Sequence, residues 1–319
     1  MSILSKPYMH DEAAAFAHVE AMLWPEGPVC PHCGNCGKIY VLAGVRSKPS
    51  KKNPEGVERH GLKKCAECRK QFTVRIGTIF EESHIPMFKW LQAIHLMVSS
   101  KKGISSHQLH RVLEITHKSA WFMSHRIREA MRNDGTVNFG SGGGVVEVDE
   151  TFIGQKHKKK EGARGYAHKN AMLSLVDRTT GQSKFVVVDD VTKATLLPIL
   201  RANIAKEATI YTDEAKQYTL LGDEFAAHDF VTHSKGVYGR GEVHTNTVEG
   251  YFSIFKRGMK GIYQHCGKQH LHRYAAEFEF RYNNRVANGV DDIERGEIAL
   301  RSVTGKRLTY RRPDAELNR

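Results

Sequence analysis

The segment Val145-Val-Glu-Val-Asp149 has the valine-rich composition of a short β-strand and ends in an acidic residue. It follows the glycine-rich run 140–144, a hinge at which the sequence pattern changes from helical to strand-like. Further strand-like segments follow at 171–176, 184–188, 209–211 and 229–232. Helical segments are expected at 193–206, 247–259 and 268–282. Three strands in succession, followed by alternating helix and strand, predict an α/β fold with a mixed sheet.

Acidic residues in this region occupy positions that a metal-dependent active site requires. Asp149 ends its strand, Asp213 directly follows the strand-like Ile210-Tyr-Thr, and Glu249 opens a helical segment. Phosphoryl transfer with two divalent metal ions needs carboxylates that are brought together from distant parts of a chain. Lys256 lies seven residues after Glu249, on the same face of the helix.

Each of these acids also has a simpler interpretation. An aspartate at the end of a strand often only forms a turn, which is how we interpret Asp177 and Asp190. Glu249 could form a capping box with Asn246, three residues earlier. The combination of two strand-end acids with one helix acid favours the catalytic interpretation over independent coincidences.

The cysteines indicate a metal site of a different kind. Five of the six lie between Cys30 and Cys68, and four of them form two C-x-x-C pairs, Cys30 with Cys33 and Cys65 with Cys68. Two such turns supply four thiolates in the tetrahedral arrangement that zinc prefers. A redox-active dithiol is the alternative. A site with four protein ligands has no open position for catalysis, so we expect Zn²⁺ to hold a small zinc ribbon together.

The segment from Pro86 to about Asn133 has a helical pattern. Ser105 with Gln108, and Thr116, predict helix starts that follow a first amphipathic helix at 87–98. Three helices with short connections fit a helix-turn-helix-like DNA-binding region. The last helix contains the basic residues Lys118, Arg126, Arg128 and Arg132. A helical spacer that packs on the next domain fits the pattern equally well.

The charge of the chain favours an anionic partner. The 319 residues include 48 Lys and Arg against 35 Asp and Glu, which leaves a net charge of +13. The basic residues cluster at 48–52, 156–160 and 301–312, a distribution that favours nucleic acid. Hydrophobic residues make up 40% of the chain, enough for a buried core, and no segment has the run of about 20 apolar residues that a membrane helix needs. We therefore expect a soluble protein without a signal peptide or a membrane partner.

The spacing of the acids makes a resemblance specific. Thirty-five residues separate Asp213 from Glu249, the D-x35-E spacing of retroviral integrases and many insertion-sequence transposases. The chain resembles the bacterial insertion-sequence transposases that pair an N-terminal zinc ribbon with a DDE catalytic domain, the ISXO-like group. The resemblance rests on the passages Cys30-Pro-His-Cys33, Cys65 to Phe72 with Gly77 to Phe80, Glu147 to Gly154, Tyr211-Thr-Asp213, His244 to Glu249 with Phe255-Lys-Arg257, and Glu277 to Asn283.

The resemblance implies a fold, a set of site residues and cofactors. It implies a ribonuclease-H-like catalytic domain in which Asp149, Asp213 and Glu249 bind Mg²⁺ or Mn²⁺ and are catalytic. Some members have Asn at the third position, but the spacing to Lys256 favours Glu249 over Asn246. Lys256 is implied to contact DNA. We expect further basic residues to line the approach to the acids: Arg257, Lys260, Arg240, Arg164 and the run 156–160, which includes Lys158 and Lys159.

The expected organisation and function follow from these points. We divide the chain into an N-terminal helical segment (1–27), the zinc ribbon (28–82), the helix-turn-helix-like region (83–139), the catalytic domain (140–285) and a basic C-terminal tail (286–319). The expected activity is cleavage and strand transfer at terminal inverted repeats, with target DNA as second substrate and a homo-oligomer in the synaptic complex. The expected setting is the bacterial cytoplasm, on the nucleoid. The alternatives are an inactive zinc-dependent DNA-binding regulator and a structure-selective nuclease.

Overall fold

The computed structural model describes residues 2–51, 53–133, 135, 137–154, 165–219, 221–232, 236 and 239–309. These residues form two compact units. The first unit contains the described residues of 1–100, 104–131 and 291–309, and the second contains those of 101–103 and 132–290. A span of a lipid bilayer needs about 20 apolar residues, and none of the helices in the described part of the chain offers such a stretch.

The first unit combines a small antiparallel sheet with helices. After helix α1 (Glu12–Leu23), strands β1 (Ile39–Val41), β2 (Lys63–Cys65) and β3 (Gln71–Phe72) pair in the order β1-β2-β3. Helices α2 (Met87–Ser99), α3 (Ser106–Leu113) and α4 (His117–Met131) follow. The predicted starts are observed: the Ser105 hydroxyl accepts a hydrogen bond from the Gln108 N–H (3.1 Å), and the Thr116 hydroxyl accepts one from the Ser119 N–H (3.2 Å).

The first unit also contains a helix that the sequence does not predict. The segment after residue 286, expected to be a basic tail, contains α9 (Asp292–Arg301). The Asp291 carboxylate caps α9 by accepting from the N–H groups of Ile293 (2.9 Å) and Glu294 (2.8 Å). Ala299 and Leu300 are buried, and α9 packs mainly on α2. The helix is therefore part of the core of the first unit, at least up to Arg301.

The second unit is built on a five-stranded mixed sheet. Its strands are β4 (Val145–Ile153), β5 (Asn170–Asp177), β6 (Ser183–Val188), β7 (Thr209–Asp213) and β8 (Ala227–Val231). Their order is β6-β5-β4-β7-β8; β5 is antiparallel to both β4 and β6, whereas β7 and β8 run parallel to β4. This is the ribonuclease-H-like arrangement, so the α/β class predicted from the sequence is confirmed.

Helices cover both faces of this sheet. Helix α5 (Lys193–Asn203) packs on one face, where Leu196 and Leu200 meet Val146 and Val148 of β4. Helices α7 (Asn246–Gly258) and α8 (Lys268–Asn283) cover the other face. The smaller elements are α6 (Leu221–Glu224) and the hairpin of β9 (Gly239–Arg240) with β10 (Val243–His244). Because side chains alternate along a strand, Glu147, Asp149 and Thr151 of β4 face the side of α7.

Candidate active site and metal centre

The first unit brings the four predicted cysteines together. The sulfur atoms of Cys30 and Cys68 are 3.6 Å apart, those of Cys33 and Cys65 are 3.7 Å apart, and all four lie within 4.8 Å of one another. Four ligands at the usual Zn–S distance of about 2.3 Å would be separated by about 3.8 Å. The thiols therefore fit a tetrahedral zinc ion, which supports a structural zinc site.

The surroundings of the thiols suit this role. Cys30 and Cys65 are buried with Phe72 in the core of the ribbon. The side-chain amide of Asn35 donates to the Cys65 sulfur (3.3 Å), and this hydrogen bond is the largest cause that lowers the pKa of the Cys65 thiol, to about 6. The thiolate is the form that binds a metal. Cys36 is exposed and lies outside the cluster.

In the second unit, the strand register places two acids at the same level. β4 and β7 are parallel neighbours, and Glu147 pairs with Tyr211. Asp149 and Asp213 each lie two residues after this pair. Because the two strands are parallel, both acids lie at the same level, toward the carboxyl ends of β4 and β7. Helix α7, which packs on β4, contains Glu249 in its first turn. Asp149, Asp213, Glu249 and Lys256 line one open cleft.

The cleft has two adjoining lobes that share Asp149, Asp213 and Lys256. The first lobe contains Glu249 and Arg257. The second, which we term the β4 lobe, has a volume of about 720 Å³ and follows the C-terminal half of β4 from Asp149 to Gly154. Lys260 lines both lobes.

The electrostatics of the cleft disfavour several negative charges at once. Burial, followed by the neighbouring charges of Glu150, Asp213 and Glu249, raises the pKa of Asp149 to about 8. Burial also raises the pKa of Glu150. A divalent cation offsets such crowding, and carboxylate oxygens are the ligands that Mg²⁺ and Mn²⁺ prefer. Among the described residues, the four cysteines are the only group of three or more His, Cys, Asp or Glu side chains that lie close enough together to hold a metal ion, and the carboxylates of the cleft do not form such a group.

Glu147 ties the acid-bearing elements together, and the sequence does not predict this role. Its carboxylate is completely buried and accepts hydrogen bonds from the Thr247 hydroxyl (2.7 Å) and the Val248 N–H (2.9 Å), in the first turn of α7. The Arg178 guanidinium also donates to it (2.5 Å). Glu147 thus joins β4, two residues before Asp149, to α7, one residue before Glu249.

Arg178 extends this connection. Its guanidinium donates to the backbone carbonyls of Glu242 (2.7 Å) and His244 (2.8 Å) and lies 5.0 Å from the ring centre of Tyr211 in β7. The Thr245 hydroxyl donates to the Glu249 carboxylate (3.0 Å). The position of Glu249 therefore depends on hydrogen bonds that connect β4, β10 and the start of α7. The N-cap of α7 is Thr245 rather than Asn246, the residue of the alternative capping-box interpretation.

The predicted DNA-contacting residues have different environments. Lys256 is half-buried, with its ammonium 5.8 Å from the ring centre of Phe252, and burial lowers its pKa. Arg257 lines the first lobe and donates to the Ser253 hydroxyl (2.7 Å). Arg240 forms an ion pair with Asp229 (2.5 Å) and is absent from the lining of either lobe. Lys158, Lys159 and the other residues of 155–164 lie outside the described residues.

Two basic residues of α4 do not have the role that the helix-turn-helix hypothesis requires. Arg126 is buried and donates to the backbone carbonyls of Ile79 (2.8 Å) and Glu81 (2.7 Å). Arg128 is also buried and donates to the Ser124 hydroxyl (3.0 Å). Both side chains stabilise the first unit from inside. Lys118, in the first turn of α4, is exposed.

Asp177 is also more deeply placed than a surface turn residue. It forms a turn, as predicted, by accepting from the N–H groups of Thr179 (2.7 Å) and Thr180 (3.0 Å). Its other oxygen accepts from the Gly140 N–H (2.9 Å), and the residue is 3% exposed. Asp190 matches the interpretation as an exposed turn residue, because its carboxylate accepts from the Thr192 N–H (3.0 Å).

Known proteins resemble the chain in both units. A model for the ISXO2-like transposase domain matches residues 142–283, and a model for the transposase zinc-ribbon domain matches residues 10–71. A protein of transposable element ISH50 from Halobacterium salinarum is 24% identical over 279 residues, which cover 81% of the chain and 86% of the relative. A transposase-like protein of Haemophilus influenzae is 30% identical over 99 residues, 31% of the chain and 79% of the relative.

A solved structure also matches part of the chain. It is a chain of the simian T-cell lymphotropic virus intasome in complex with PP2A regulatory subunit B56 gamma. The match covers 54% of this chain and 63% of that chain at 14% identity. Its TM-score of 0.29 is too low to establish a common fold.

Proposed function

Because the chain belongs to the ISXO2-like transposases, we propose that it cleaves DNA at the ends of its element and joins them to target DNA. The observation that carries this proposal is the cleft of the second unit. Its lining combines three carboxylates from different elements, Asp149, Asp213 and Glu249, with the ammonium of Lys256. A site of this composition suits phosphoryl transfer, since acids hold cations while a lysine contacts phosphate.

The roles of the residues follow from their positions. Asp149, Asp213 and Glu249 would hold Mg²⁺ or Mn²⁺. These ions, when bound, supply stabilisation of charge on the attacking and leaving oxygens of a phosphodiester. Lys256 and Lys260, which line the same cleft, neutralise the phosphates that flank the reacting one. Glu147 and Arg178 keep α7 in its place on β4.

The proposed reaction has two successive displacements in the same cleft. In the first, the oxygen of water attacks the phosphorus, and the P–O bond to the 3′ oxygen breaks, which leaves a 3′-hydroxyl on the element end. In the second, this 3′ oxygen attacks a phosphodiester of the target. A new P–O bond forms, and the 3′ oxygen of the target strand leaves and takes up a proton.

The first unit would supply recognition rather than chemistry. A four-cysteine zinc site has no open position, so the ribbon and the helices α2–α4 are proposed to contact the terminal inverted repeats. Two ends must meet for transposition, so we propose that the chain acts as a homo-oligomer in the synaptic complex. The setting would be the bacterial nucleoid.

A strand-transfer assay tests the proposal against its alternatives. The full chain is incubated with Mg²⁺ or Mn²⁺, a duplex copied from the DNA that borders its gene, and a plasmid target. We expect nicked ends and ends joined to the plasmid. Cleavage without joining would instead identify a nuclease, and binding without either product would identify a regulator.

A further inference from the structure

Ser174 of β5 lies directly opposite Asp149, the first acid of the cleft. The antiparallel ladder of β4 and β5 pairs the two residues. Residues that are directly opposed in such a ladder project from the same face of the sheet, and for this pair it is the face that α7 covers. Ser174 is therefore the direct cross-strand neighbour of the Asp149 side chain.

The hydroxyl of Ser174 is buried in apolar surroundings. The residue is 0% exposed, and its hydroxyl oxygen has no hydrogen-bond partner among the described residues. Met172 and Val176 flank it along β5 on the same face, and its cross-strand neighbour on β6 is Phe185. Phe185 packs in turn on aromatic rings of α7. Of these strand neighbours of Ser174, all of them described, Asp149 alone has a side chain that can accept a hydrogen bond.

A hydrogen bond to Asp149 would satisfy this hydroxyl. Buried polar groups are nearly always hydrogen-bonded, because a group without a partner costs free energy. The Cβ atoms of directly opposed residues lie about 5 Å apart, and rotation about the Cα–Cβ bond of Ser174 carries its hydroxyl toward the carboxylate. Both side chains extend into this gap, so that they can reach the distance of about 2.6 Å that is usual between a hydroxyl and a carboxylate oxygen.

The Asp149 carboxylate can accept this bond and still hold a cation. Its Oδ1 accepts a hydrogen bond from the Glu150 N–H (2.7 Å), and an ionised carboxylate offers about four lone-pair sites. A second donor on the neighbouring strand would restrict rotation of the carboxylate. Carboxylates that bind a metal ion are themselves hydrogen-bonded, and these hydrogen bonds orient them toward the ion.

We propose that Ser174 is a positioning residue, whose hydroxyl donates a hydrogen bond to the ionised Asp149 carboxylate and fixes its orientation for a divalent cation. The inference rests on the proposed function and adds to it a residue that supports the first acid from the neighbouring strand. Ser174 is not among the residues that line either lobe of the cleft. It therefore acts through Asp149 and contacts neither the cation nor the DNA.

The test measures binding of Mn²⁺ to the zinc-loaded full chain in the absence of DNA, by electron paramagnetic resonance of the free ion. Ser174→Ala removes the donor, and we expect the affinity for Mn²⁺ to fall about tenfold or more, as it does when a metal ligand loses a hydrogen-bond partner. The unfolding midpoint without Mn²⁺ should be unchanged or higher, because a buried hydroxyl without a partner does not stabilise the fold. Asp213→Asn, which removes a ligand of the cation, gives the background from binding elsewhere on the chain.

Ser183→Ala is the matched control. Ser183 is a buried serine on the same face of the sheet, 1% exposed, but it belongs to β6, two strands away from β4. Its hydroxyl donates to the side-chain oxygen of Asn283 (3.0 Å). Removal of this hydroxyl should lower the unfolding midpoint and leave the affinity for Mn²⁺ unchanged, which is the reverse of the result expected for Ser174→Ala.

Three results would overturn the inference. Equal affinities of the wild-type chain and Ser174→Ala for Mn²⁺ would show that Ser174 does not support Asp149, while leaving the proposed function intact. A fall in affinity that is accompanied by a lower unfolding midpoint without Mn²⁺ would show that Ser174 stabilises the fold instead. A wild-type chain that binds no more Mn²⁺ than Asp213→Asn would reject the metal site of the proposed function and the role of Ser174 together.

Discussion

The four thiols of the ribbon lie within 4.8 Å of one another, whereas Asp149, Asp213 and Glu249 line an open cleft. The thiols form a closed set, two of them from buried cysteines, Cys30 and Cys65, and a tetrahedral ion would use all four. The carboxylates leave room for substrate, and their mutual repulsion contributes to the raised pKa of Asp149. A closed ligand set is suited to holding a fold, and an open, charge-crowded one is suited to chemistry.

The largest expected effect tests the closed side of this comparison. Cys65→Ser removes one of four ligands, and structural zinc contributes about 10 kcal/mol or more to folding in small zinc domains. We expect about one zinc per wild-type chain and none in the variant, with a ribbon that becomes sensitive to protease while the second unit stays folded. Metal analysis and limited proteolysis give the answer. Cys36→Ser, an exposed cysteine outside the cluster, should retain its zinc; a zinc-free wild-type chain would end the idea.

The second effect tests the open side. Asp213→Asn keeps the shape of the side chain but removes a charge that holds the cation, and we expect cleavage and joining to fall together by about a thousandfold or more. Binding of DNA should survive, because the ribbon and helices α2–α4 are unchanged. Asp223→Asn, an exposed acid of α6, should leave both reactions unchanged. Near-normal cleavage by Asp213→Asn would mean that the acids have been misassigned.

The third prediction concerns Glu147, a buried acid that does not line the cleft. Its hydrogen bonds hold α7, which contains Glu249, against β4. Glu147→Ala leaves the Arg178 guanidinium without its buried partner, and breaking such a pair costs about 3 kcal/mol. We expect a lower unfolding midpoint for the second unit, measured in urea. Glu224→Ala, which breaks an ion pair with Arg201 near the surface, should change the midpoint little, since exposed pairs contribute little. Equal shifts would contradict the central role assigned to Glu147.

Glu147 also shows where prediction from the sequence stops. The thiol pairs and the spacing from Asp213 to Glu249 are local or countable patterns, so both could be proposed from the sequence. Glu147 lies in the same Val-rich segment as Asp149, and a charged residue there was a signal of a buried contact. Its partners, however, are 31 and 100 residues away at Arg178 and Thr247, and no spacing rule connects them.

Burial explains the other differences. Arg126 and Arg128 give α4 the basic composition of a DNA-contacting helix. Their burial, however, depends on how the rest of the first unit packs around α4, and the sequence of α4 alone does not show it. Asp177 lies in a segment whose sequence is typical of a surface turn, yet its second carboxylate oxygen accepts a hydrogen bond from the Gly140 N–H. Helix α9 has few apolar residues, and its position depends on α2, which precedes it by about two hundred residues in the sequence.

The smallest expected effect compares a positive charge in the carboxylate cleft with a positive charge in the zinc ribbon. Lys256 lies in the cleft on the same helix as Glu249, whereas Lys48 is exposed in the ribbon. Loss of one phosphate contact should lower the salt dependence of DNA binding by about one in the slope of log affinity against log salt. We expect Lys256→Ala to lose about tenfold in strand transfer, and Lys48→Ala to stay within about twofold. Lys256→Arg keeps the charge but changes its geometry. Compared with Lys256→Ala, it should restore the salt dependence of DNA binding more fully than the rate of strand transfer. If Lys48→Ala lowered strand transfer as much as Lys256→Ala, the half-buried position of Lys256 beside the acids would have no special role in the reaction.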